Sequence, residues 1–354
     1  MSVRIDTRQI GVNAFGHVAP VQHPMCLQQE LDNGVLLNPR SDFFSAQVPD
    51  FGYRWWYLDV VSPDKRIGVV VIGFIGSVFS PYYAASRRRG HGDPFNHCAI
   101  NAIIYSPRKK YWAMTERTAD QLAINNNGIS VGPSAMRWRN GQLIADINEI
   151  CNPWPGRLRG SIMLDPGPMN SESFSLHEND CHHWWPVAPL ARANVAFTKP
   201  SLSFTGSAYL DSNFGSEPLE TGFDCWDWTR REHPVTDGVT PALTYHVTQR
   251  DTKQRSLALA IDAQAGLHRL PEPPAQPLPR TGWRVDRMTR SAAPIAHVRT
   301  LEDTPFYARS MIEVGADPTC THTLMHESLS LQRFSKRWVQ TLLPFRMPRR
   351  NTAG

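Results

Sequence analysis

The feature that most constrains the fold of this chain is a long series of short segments rich in aromatic and β-branched residues, each bounded by turn-forming residues. Residues 53–61 and the apolar run that begins at Ile67 are separated by Ser62-Pro63-Asp64, and Asn140-Gly141 is a hairpin signal. Hardly any segment before residue 334 shows sustained helical periodicity. Many short strands at regular spacing are typical of a sandwich or a barrel, so we predict an all-β fold with antiparallel strands.

The length of 354 residues favours two domains, because one compact core usually covers less. We predict an irregular lead-in at residues 1–50 that packs on the first domain, a β domain at residues 51–190, and a second β domain at residues 191–354. In the second domain, strands are predicted at residues 193–197, 202–209, 221–228, 242–247, 256–261, 283–286 and 321–331, with a proline-rich surface loop at residues 271–279.

The C-terminal segment differs from the rest of the chain. Phe334, Trp338 and Leu342 recur at four-residue spacing, and six Lys and Arg residues lie between residues 333 and 350. This pattern predicts a short basic amphipathic helix that lies on a membrane surface. A helix that caps a barrel explains the pattern equally well, and the sequence leaves both alternatives open.

The charge balance limits the classes of partner. The chain has 37 Lys and Arg residues against 32 Asp and Glu residues, a formal excess of +5 that is clustered rather than spread. Such a balance does not suggest a nucleic-acid partner. It is compatible with contact to membrane lipids at an anionic surface.

Three features of the sequence bear on location. The longest apolar run, residues 67–79, has thirteen residues with three glycines and a serine, whereas a spanning helix needs about 20 residues. The N-terminus lacks the basic start and apolar core of a secretory signal. The six cysteines are scattered without a Cys-x-x-Cys pair, as expected of free thiols in a reducing compartment. We therefore expect a protein on the cytoplasmic side of the membrane.

Two segments, near residues 182 and 210, combine titratable side chains with large aromatic rings. Residues two apart on a strand point to the same face, so Tyr209 and Asp211 are expected to meet one end of a substrate, and His182 has the same relation to Trp184. A solvated Asp has a pKa near 3.9, and raising it by about three units costs roughly 4 kcal/mol. Burial among aromatic rings supplies such a rise. On the residues alone, however, a Tyr-x-Asp pair is more often a structural anchor than a catalytic acid.

A metal centre is the other reading of the first segment. Cys181, His182 and His183 lie together, and His177 is close by. No second ligand pair has a familiar spacing, and adjacent side chains diverge on a strand. We therefore expect neither a metal nor any other cofactor.

Several separated motifs resemble one family. Trp55-Trp56-Tyr57-Leu58-Asp59 resembles the Trp-Trp-Tyr-x-Asp signature of the lipocalin-like superfamily that includes carotenoid 1,2-hydratase, also called hydroxyneurosporene synthase. Five further segments look specifically like that hydratase and occur in the same order: residues 79–84, 93–98, 112–117, 183–186 and 226–228. The likeness extends from about residue 52 to residue 350. Residues 209–215 depart from the Trp-Met-Asp-x-x-Trp-Gly of other superfamily branches but keep the acid at Asp211.

The resemblance implies a fold, a reaction and a location. The fold would be two lipocalin-like antiparallel β-barrel or sandwich domains with the active site between them. The reaction would be the cofactor-free addition of water to the terminal C1=C2 double bond of acyclic carotenoids such as neurosporene and lycopene. The location would be the cytoplasmic side of the inner photosynthetic membrane, with peripheral attachment. The functional set carried over residue by residue is His182, Trp184, Tyr209 and Asp211.

We assign roles to this set as hypotheses. Asp211 would protonate the alkene, Trp184 and Tyr209 would stabilise the tertiary carbocation with their π faces, and His182 would deprotonate the attacking water. The aromatic side chains expected to bind the substrate are Trp185, Phe204, Phe214, Trp226 and Trp228.

Two competing functions and one group of unassigned residues remain. A β pocket lined with aromatic rings also suits a carrier of an apolar ligand, and the same protonation suits a cofactor-free cyclase or isomerase. Arg87-Arg88-Arg89 is compatible with a lipid-headgroup contact or with a solvated loop. Asn96 and His97 are expected to be buried, without an assigned role.

Overall fold

The computed structural model describes residues 36–45, 47–316 and 321–350, all of which belong to one compact unit, Gly34–Gly354. Residues 1–35 of the predicted lead-in lie outside this description. The described remainder of the lead-in forms turns and one isolated bridge between Leu36 and Glu172. Phe43 and Phe44 in these turns are completely buried against the first sheet.

Antiparallel strands make up most of the structure, which confirms the predicted all-β fold. The strands up to residue 215 are β1 (Tyr53–Val61), β2 (Gly68–Ile75), β3 (Cys98–Tyr105), β4 (Lys110–Met114), β5 (Glu116–Arg117), β6 (Leu122–Asn125), β7 (Gly128–Val131), β8 (Ser134–Arg139), β9 (Gln142–Ile150), β10 (Arg157–Asp165), β11 (Phe174–Ser175), β12 (His182–Ala188), β13 (Arg192–Lys199) and β14 (Ser201–Gly215). The later strands are β15 (Phe223–Arg231), β16 (Asp237–Gln249), β17 (Gln254–Asp262), β18 (Leu267–Arg269), β19 (Ala275–Pro277), β20 (Met288–Arg290), β21 (Ile295–Asp303), β22 (Tyr307–Val314), β23 (His322–Ser330) and β24 (Arg349–Arg350).

These strands form two large sheets and one small one. The first sheet has the order β24-β5-β3-β2-β1-β14-β13-β10-β9-β8-β7-β6, with β4 on β3, β12 on β14 and β11 on β12. The second sheet has the order β18-β17-β16-β15-β23-β22-β21, and β19 pairs with β20. The helices are short: α1 (Pro81–Arg88), α2 (Leu219–Gly222), α3 (Leu331–Phe334) and α4 (Arg337–Leu342).

Strand β1 is buried on both faces, and each face belongs to a different core. Trp56 and Leu58 pack into an aliphatic core on one side, together with Ile100 of β3 and Ile129 of β7. Since β3 and β7 are far apart in the strand order, the first sheet curls around this core. Alternation along a strand sends the intervening residues, such as Tyr57, to the opposite face.

The outer face of β1 packs against the second sheet. Tyr53, Trp55 and Tyr57 share an aromatic core with Trp226 and Trp228 of β15. A buried ion pair also joins the sheets, because Arg230 Nε of β15 donates to Asp59 Oδ2 of β1 at 2.8 Å. The layer between the two sheets therefore combines large aromatic rings with charged groups, and it contains the cavities described below.

The change from one sheet to the other occurs between Gly215 and Phe223, since β13 and β14 pair within the first sheet. The predicted domain boundary near residue 190 is a statement about independently folding units. The membership of strands in sheets does not test it, so the boundary stays a prediction. One predicted strand is wrong: residues 283–286 form a turn and loop, and the strand at this place is Met288–Arg290.

The C-terminal segment is amphipathic, but it is not one continuous helix. Helix α3 ends at Phe334, and α4 begins at Arg337 after Lys336 in an extended conformation. Because the axis breaks here, Phe334 is buried while Trp338 and Leu342 are about half exposed, at 50% and 49%. The four-residue spacing that placed these side chains on one face was therefore misleading.

Candidate active site

A small inner cavity lies between the two sheets and receives four side chains from each of them. Its empty volume is about 280 Å³. The first sheet contributes Trp55, Tyr57, Asp211 and Asn213, and the second contributes Trp226, Trp228, Tyr245 and Glu327. Two carboxyl groups thus face a space otherwise enclosed mainly by aromatic rings.

A larger outer cavity, with an empty volume of about 860 Å³, adjoins the inner one. The two share Trp55, Tyr57, Trp226 and Glu327 as lining residues. Most other side chains of the outer cavity are apolar, among them Ile72, Phe74, Phe79, Ile103, Phe306, Leu343 and Met347. Together the cavities form an apolar recess whose inner end is next to Asp211.

Asp211 of β14 is completely buried in its environment and lies opposite Tyr57 of β1 and Pro186 of β12. Trp184 Nε1 donates a hydrogen bond to Asp211 Oδ2 at 3.0 Å. Burial raises the pKa of Asp211 well above its usual range, and the lowering by Trp184 and Tyr209 does not outweigh it. Asp211 Oδ1 has no hydrogen-bond partner among the described residues. Burial therefore favours the neutral carboxylic acid at Asp211, in which Oδ1 can carry the proton.

Tyr209 lies on the same face of β14 as Asp211, as the alternation of a strand predicts. Its ring contacts Trp228 at 5.3 Å and Tyr57 at 6.3 Å between centroids. Burial raises the pKa of Tyr209 well above its usual range, and the neighbouring Asp211 carboxyl group raises it further. A neutral phenol is thus available beside the acid.

Trp184 is fully buried behind Asp211, and its ring lies 5.1 Å from that of Tyr245. It is not among the described residues that line either cavity. The observed contact is the indole hydrogen bond to the carboxyl group, which fixes the orientation of Asp211. The predicted π contact of Trp184 with a carbocation stays a prediction.

His182 is also fully buried, but it is not among the described residues that line either cavity. Its Nδ1 is 2.9 Å from Tyr53 Oη, and its Nε2 is 3.1 Å from Glu217 Oε1. Burial lowers the pKa of His182, which favours the neutral imidazole. His182 is connected to the recess through Tyr53, whose ring stacks on Trp55 at 5.1 Å, and through Phe223, whose ring lies 6.2 Å from that of Trp226. Its predicted role as the base for water stays a prediction.

Comparison with known proteins gives the family. A sequence model described as carotenoid hydratase CrtC matches residues 71–354. The chain belongs to this carotenoid hydratase family. It is 46% identical to the acyclic carotenoid 1,2-hydratase of Thiocapsa roseopersicina, over 88% of this chain and 76% of that protein. It is 39% identical to the acyclic carotenoid 1,2-hydratase of Rubrivivax gelatinosus, over 87% and 76%.

Solved structures agree in fold with this member of the carotenoid hydratase family. An AttH-type protein of Nitrosomonas europaea has a TM-score of 0.53 at 14% identity, covering 84% of this chain and 98% of that one. Kievitone hydratase of Nectria haematococca has a TM-score of 0.53 at 10% identity, covering 86% and 95%. At these identities the likeness concerns the lipocalin-like fold alone.

The aromatic residues predicted to bind substrate divide into two groups. Trp226 lines both cavities and Trp228 lines the inner one. Trp185, Phe204 and Phe214 instead pack on the other face of the first sheet. Neighbouring residues on a strand point to opposite faces. Because Trp184 contacts Asp211, Trp185 points away from the recess, and so do the even-numbered residues of β14. We therefore leave these three residues out of the proposed site.

Sequence analysis missed the Glu327–Arg309 pair. Arg309 Nε of β22 donates to Glu327 Oε1 of β23 at 2.9 Å, and the Arg309 side chain is almost completely buried. The sequence signals this pair only by a charged residue in each of two neighbouring apolar strands. Charged side chains are tolerated in the interior where they are paired. Sequence analysis also gave Tyr57 no role in the site, although it lines both cavities.

The residues that could hold a metal are Cys181, His182 and Glu217, whose ligand atoms lie within 4.8 Å of one another. Their contacts are those of hydrogen bonds, since Cys181 Sγ is 3.5 Å from Glu217 Oε1. Burial and the neighbouring Glu217 raise the pKa of the Cys181 thiol to about 12. The expectation that the protein needs no metal stays a prediction.

The residues without an assigned role lie away from the recess. Arg87 Nη2 pairs with Glu220 Oε1 at 2.6 Å, and Arg88 Nη1 donates to Gln340 Oε1 at 2.7 Å. His97 Nδ1 is 2.8 Å from Glu116 Oε1. Asn96 is exposed, so the expectation that it is buried is wrong, and its side-chain oxygen accepts a hydrogen bond from the backbone N–H of residue 119. Arg87 and Arg88 therefore join α1 to α2 and α4, which argues against their use as lipid-headgroup contacts.

Proposed function

We propose that this protein is an acyclic carotenoid 1,2-hydratase, a hydro-lyase that adds water to the terminal C1=C2 double bond of carotenoids such as neurosporene and lycopene. The observation that carries the proposal is a neutral carboxylic acid, Asp211, at the inner end of an apolar recess. The carotenoid hydratase relatives support the choice of substrate class.

The reaction begins with proton transfer from Asp211 Oδ1 to C2 of the alkene. The π electrons form the new C2–H bond and leave a tertiary carbocation at C1. The rings of Trp55, Tyr57, Trp226 and Trp228 line the inner cavity and stabilise this cation by about 2 kcal/mol or more where water is excluded. Water then adds to C1 and loses a proton to give the tertiary alcohol. There is no net redox change, so the step needs no redox cofactor.

The outer cavity accommodates the polyene next to the reacting end. Its side chains are mainly apolar, and each substrate CH₂-sized group that leaves water there contributes about 0.8 kcal/mol to binding. This binding involves no reacting atom of the substrate, and it holds the terminal double bond near Asp211.

An assay with neurosporene and lycopene side by side tests this function against the two alternatives. A product heavier by one water is expected. An unchanged mass with altered absorption would identify an isomerase or cyclase, and an unchanged ligand that stays bound would identify a carrier. A free carboxylic acid facing the cavity favours the hydratase over the carrier, because a carrier has no use for a proton donor.

We also propose peripheral attachment to lipids on the cytoplasmic side of the inner photosynthetic membrane. Trp338, Leu342 and Phe345 are 50%, 49% and 69% exposed, and Trp283 stacks on Trp338 at 6.3 Å. Large exposed apolar side chains in one place suggest an interaction surface. The adjacent Lys336 and Arg337 are exposed, and basic side chains near an anionic surface contribute about 1 kcal/mol each.

This docking surface lies next to the recess, since Leu343 and Met347 of the same segment line the outer cavity. A lipid-dissolved carotenoid would therefore enter directly from the membrane. In the described residues, no helix is long and apolar enough to cross a bilayer, so attachment would rest on this surface.

Sedimentation with vesicles tests the attachment. The triple variant Trp338→Ser, Leu342→Ser, Phe345→Ser is expected to lose at least about tenfold in affinity for vesicles of phosphatidylcholine with phosphatidylglycerol. Trp154→Ser is the matched control, because Trp154 is 81% exposed but does not belong to this surface. Equal binding by the triple variant and the control would refute the docking surface.

A further inference from the structure

The inner cavity contains a second carboxyl group that comes from the other sheet. Glu327 of β23 lines both cavities and is therefore located where they meet. Its side chain keeps 15% of its surface accessible, although its partner Arg309 keeps only 2%. Glu327 thus faces both cavities, whereas Arg309 lines the outer cavity and is not among the described residues that line the inner one.

The Glu327–Arg309 pair carries charge into a nearly dry layer. Two Arg309 nitrogens, Nε and Nη2, donate to Glu327 Oε1. Burial alone would lower the pKa of Arg309, but Glu327 and the surrounding tyrosines raise it well above its usual range. The guanidinium is therefore charged, and Glu327 is its ion-pair partner. A buried ion pair is weak evidence for stability, which makes a role in the recess the better explanation.

The hydration chemistry requires such a group. When the oxygen lone pair of water forms the C1–O bond, the product is a protonated alcohol that must lose a proton. Because a protonated tertiary alcohol is strongly acidic, even a carboxylate paired with a guanidinium is basic enough to accept that proton. A negative charge in a low-dielectric cavity also favours the carbocation that precedes it.

The other groups that line the inner cavity do not offer this chemistry. Burial raises the pKa values of Tyr57 and Tyr245 well above their usual range, so both are neutral phenols. Asp211 starts as the proton donor. His182 has both ring nitrogens within hydrogen-bond distance of Tyr53 or Glu217 and is not among the described residues that line the cavity.

We propose that Glu327 is a second catalytic carboxylate, which faces the carbocation and accepts the proton that the attacking water loses. This inference rests on the hydratase function proposed above. The O–H bond of the bound water breaks with its electrons remaining on oxygen, and the proton goes to Glu327. Transfer of that proton from Glu327 to the Asp211 carboxylate across the same cavity restores the starting state, so protons balance over one turnover.

Hydration and proton exchange separate the two carboxyl groups in an experiment. The protein is incubated with lycopene in D₂O, and the hydrated product and the deuterium in recovered lycopene are both measured. Glu327→Gln is expected to lower hydration about 10²-fold to 10³-fold and deuterium entry into the recovered lycopene by a smaller factor, because Asp211 still protonates lycopene reversibly although the cation has lost a nearby negative charge. Asp211→Asn is expected to lose both signals.

Two further variants keep the test decisive if Glu327→Gln folds poorly. Glu327→Asp keeps the charge but withdraws the carboxylate by one methylene, and it is expected to lower hydration about tenfold with exchange retained. Glu149→Gln is the matched control, because Glu149 is a buried acidic residue paired with Arg117 at 2.8 Å and is not among the described residues that line either cavity. It is expected to hydrate within about twofold of the parent rate.

Specific results would overturn the assignment. Hydration by Glu327→Gln or Glu327→Asp within about threefold of the parent would do so, since a proton acceptor contributes at least about 10²-fold. Simultaneous loss of hydration and exchange in Glu327→Gln, or an equal loss in Glu149→Gln, would show a structural effect instead. If the parent protein itself forms no hydrated product, the proposed function fails, not the assignment of Glu327 alone.

Discussion

The two walls of the inner cavity each carry one carboxyl group and place it in opposite electrostatic surroundings. On the first sheet, Asp211 receives an uncharged indole donor from Trp184, and burial raises its pKa well above the usual range. On the second sheet, Glu327 is held by the charged Arg309. Similar functional groups in one cavity therefore have different protonation states, and the difference assigns one as acid and the other as base.

A third carboxyl group shows that the pairing, rather than burial alone, makes the difference. Asp59 of β1 is as buried as Asp211, yet it accepts hydrogen bonds from Arg230 and from Tyr57 Oη at 3.0 Å. It lies on the same strand face as Tyr57. Asp59 is therefore balanced by an arginine, whereas Asp211 receives the uncharged indole of Trp184.

The largest expected effect comes from removing the acid of the first wall. Asp211→Asn keeps the shape of the side chain but has no proton to donate, so hydration is expected to fall by about 10³-fold or more. Product formation from lycopene measures this loss, with circular dichroism as the control for folding. A hydration rate above about a tenth of the parent rate would show that Asp211 is not the proton donor.

The same variant has a predicted effect on stability that depends on pH. Because the pKa of Asp211 is raised in the folded protein, folding is penalised when the pH exceeds the unfolded value of about 3.9, where only the unfolded chain ionises. Asp211→Asn should therefore be more stable than the parent at pH 7, with the gain vanishing towards pH 4. Denaturant unfolding at both values measures the difference, and an equal gain at both would contradict a neutral Asp211.

The next effect tests the second wall. Arg309→Met removes the cation beside Glu327, so that neither carboxyl group of the inner cavity has an arginine partner. It is expected to destabilise the protein by about 3–5 kcal/mol, because a buried carboxylate loses its partner. Denaturant unfolding measures this loss, and Arg250→Met is a control, since Arg250 pairs with Asp224 at a more exposed place. A similar small change in both variants would show that the Glu327–Arg309 pair is not special.

A smaller effect is expected from the donor that orients the acid. Trp184→Phe removes the indole N–H, so Asp211 Oδ2 loses its hydrogen bond and the pKa of Asp211 rises further. The loss of one hydrogen bond to the carboxyl group, about 1–2 kcal/mol, lowers hydration roughly tenfold. The pH at which activity falls on the alkaline side should move upward. A shift downward would mean that the indole does not stabilise the ionised form.

The smallest effect on activity is expected from the neighbouring tryptophan on the other face. Trp185→Phe removes a hydrogen bond to Asn170 O at 3.0 Å and costs about 1 kcal/mol of stability. Hydration should stay within about twofold of the parent, because Trp185 packs in the core of the first sheet. A loss of hydration activity as large as that of Trp184→Phe would show that Trp185 belongs to the site.

Much of the site follows from strand periodicity and from the family motifs. Alternation placed Tyr209 and Asp211 on one face, and the structure confirms that Asp211 is buried with a raised pKa. The same alternation should have excluded Phe204 and Phe214, whose positions in β14 have the opposite parity. These two residues were predicted to bind substrate because they lie close to Asp211 along the chain, without regard to the face of the strand on which they lie.

The sequence by itself determined the all-β class and the family and singled out Asp211 as a candidate acid, because strand periodicity and short motifs are local properties of the chain. Only the tertiary structure decided which face of each strand meets the other sheet, and only that packing brings Glu327 and Asp211 to one cavity. Their protonation states depend on burial and on the neighbouring Arg309 or Trp184, which are contacts between strands that local patterns do not encode.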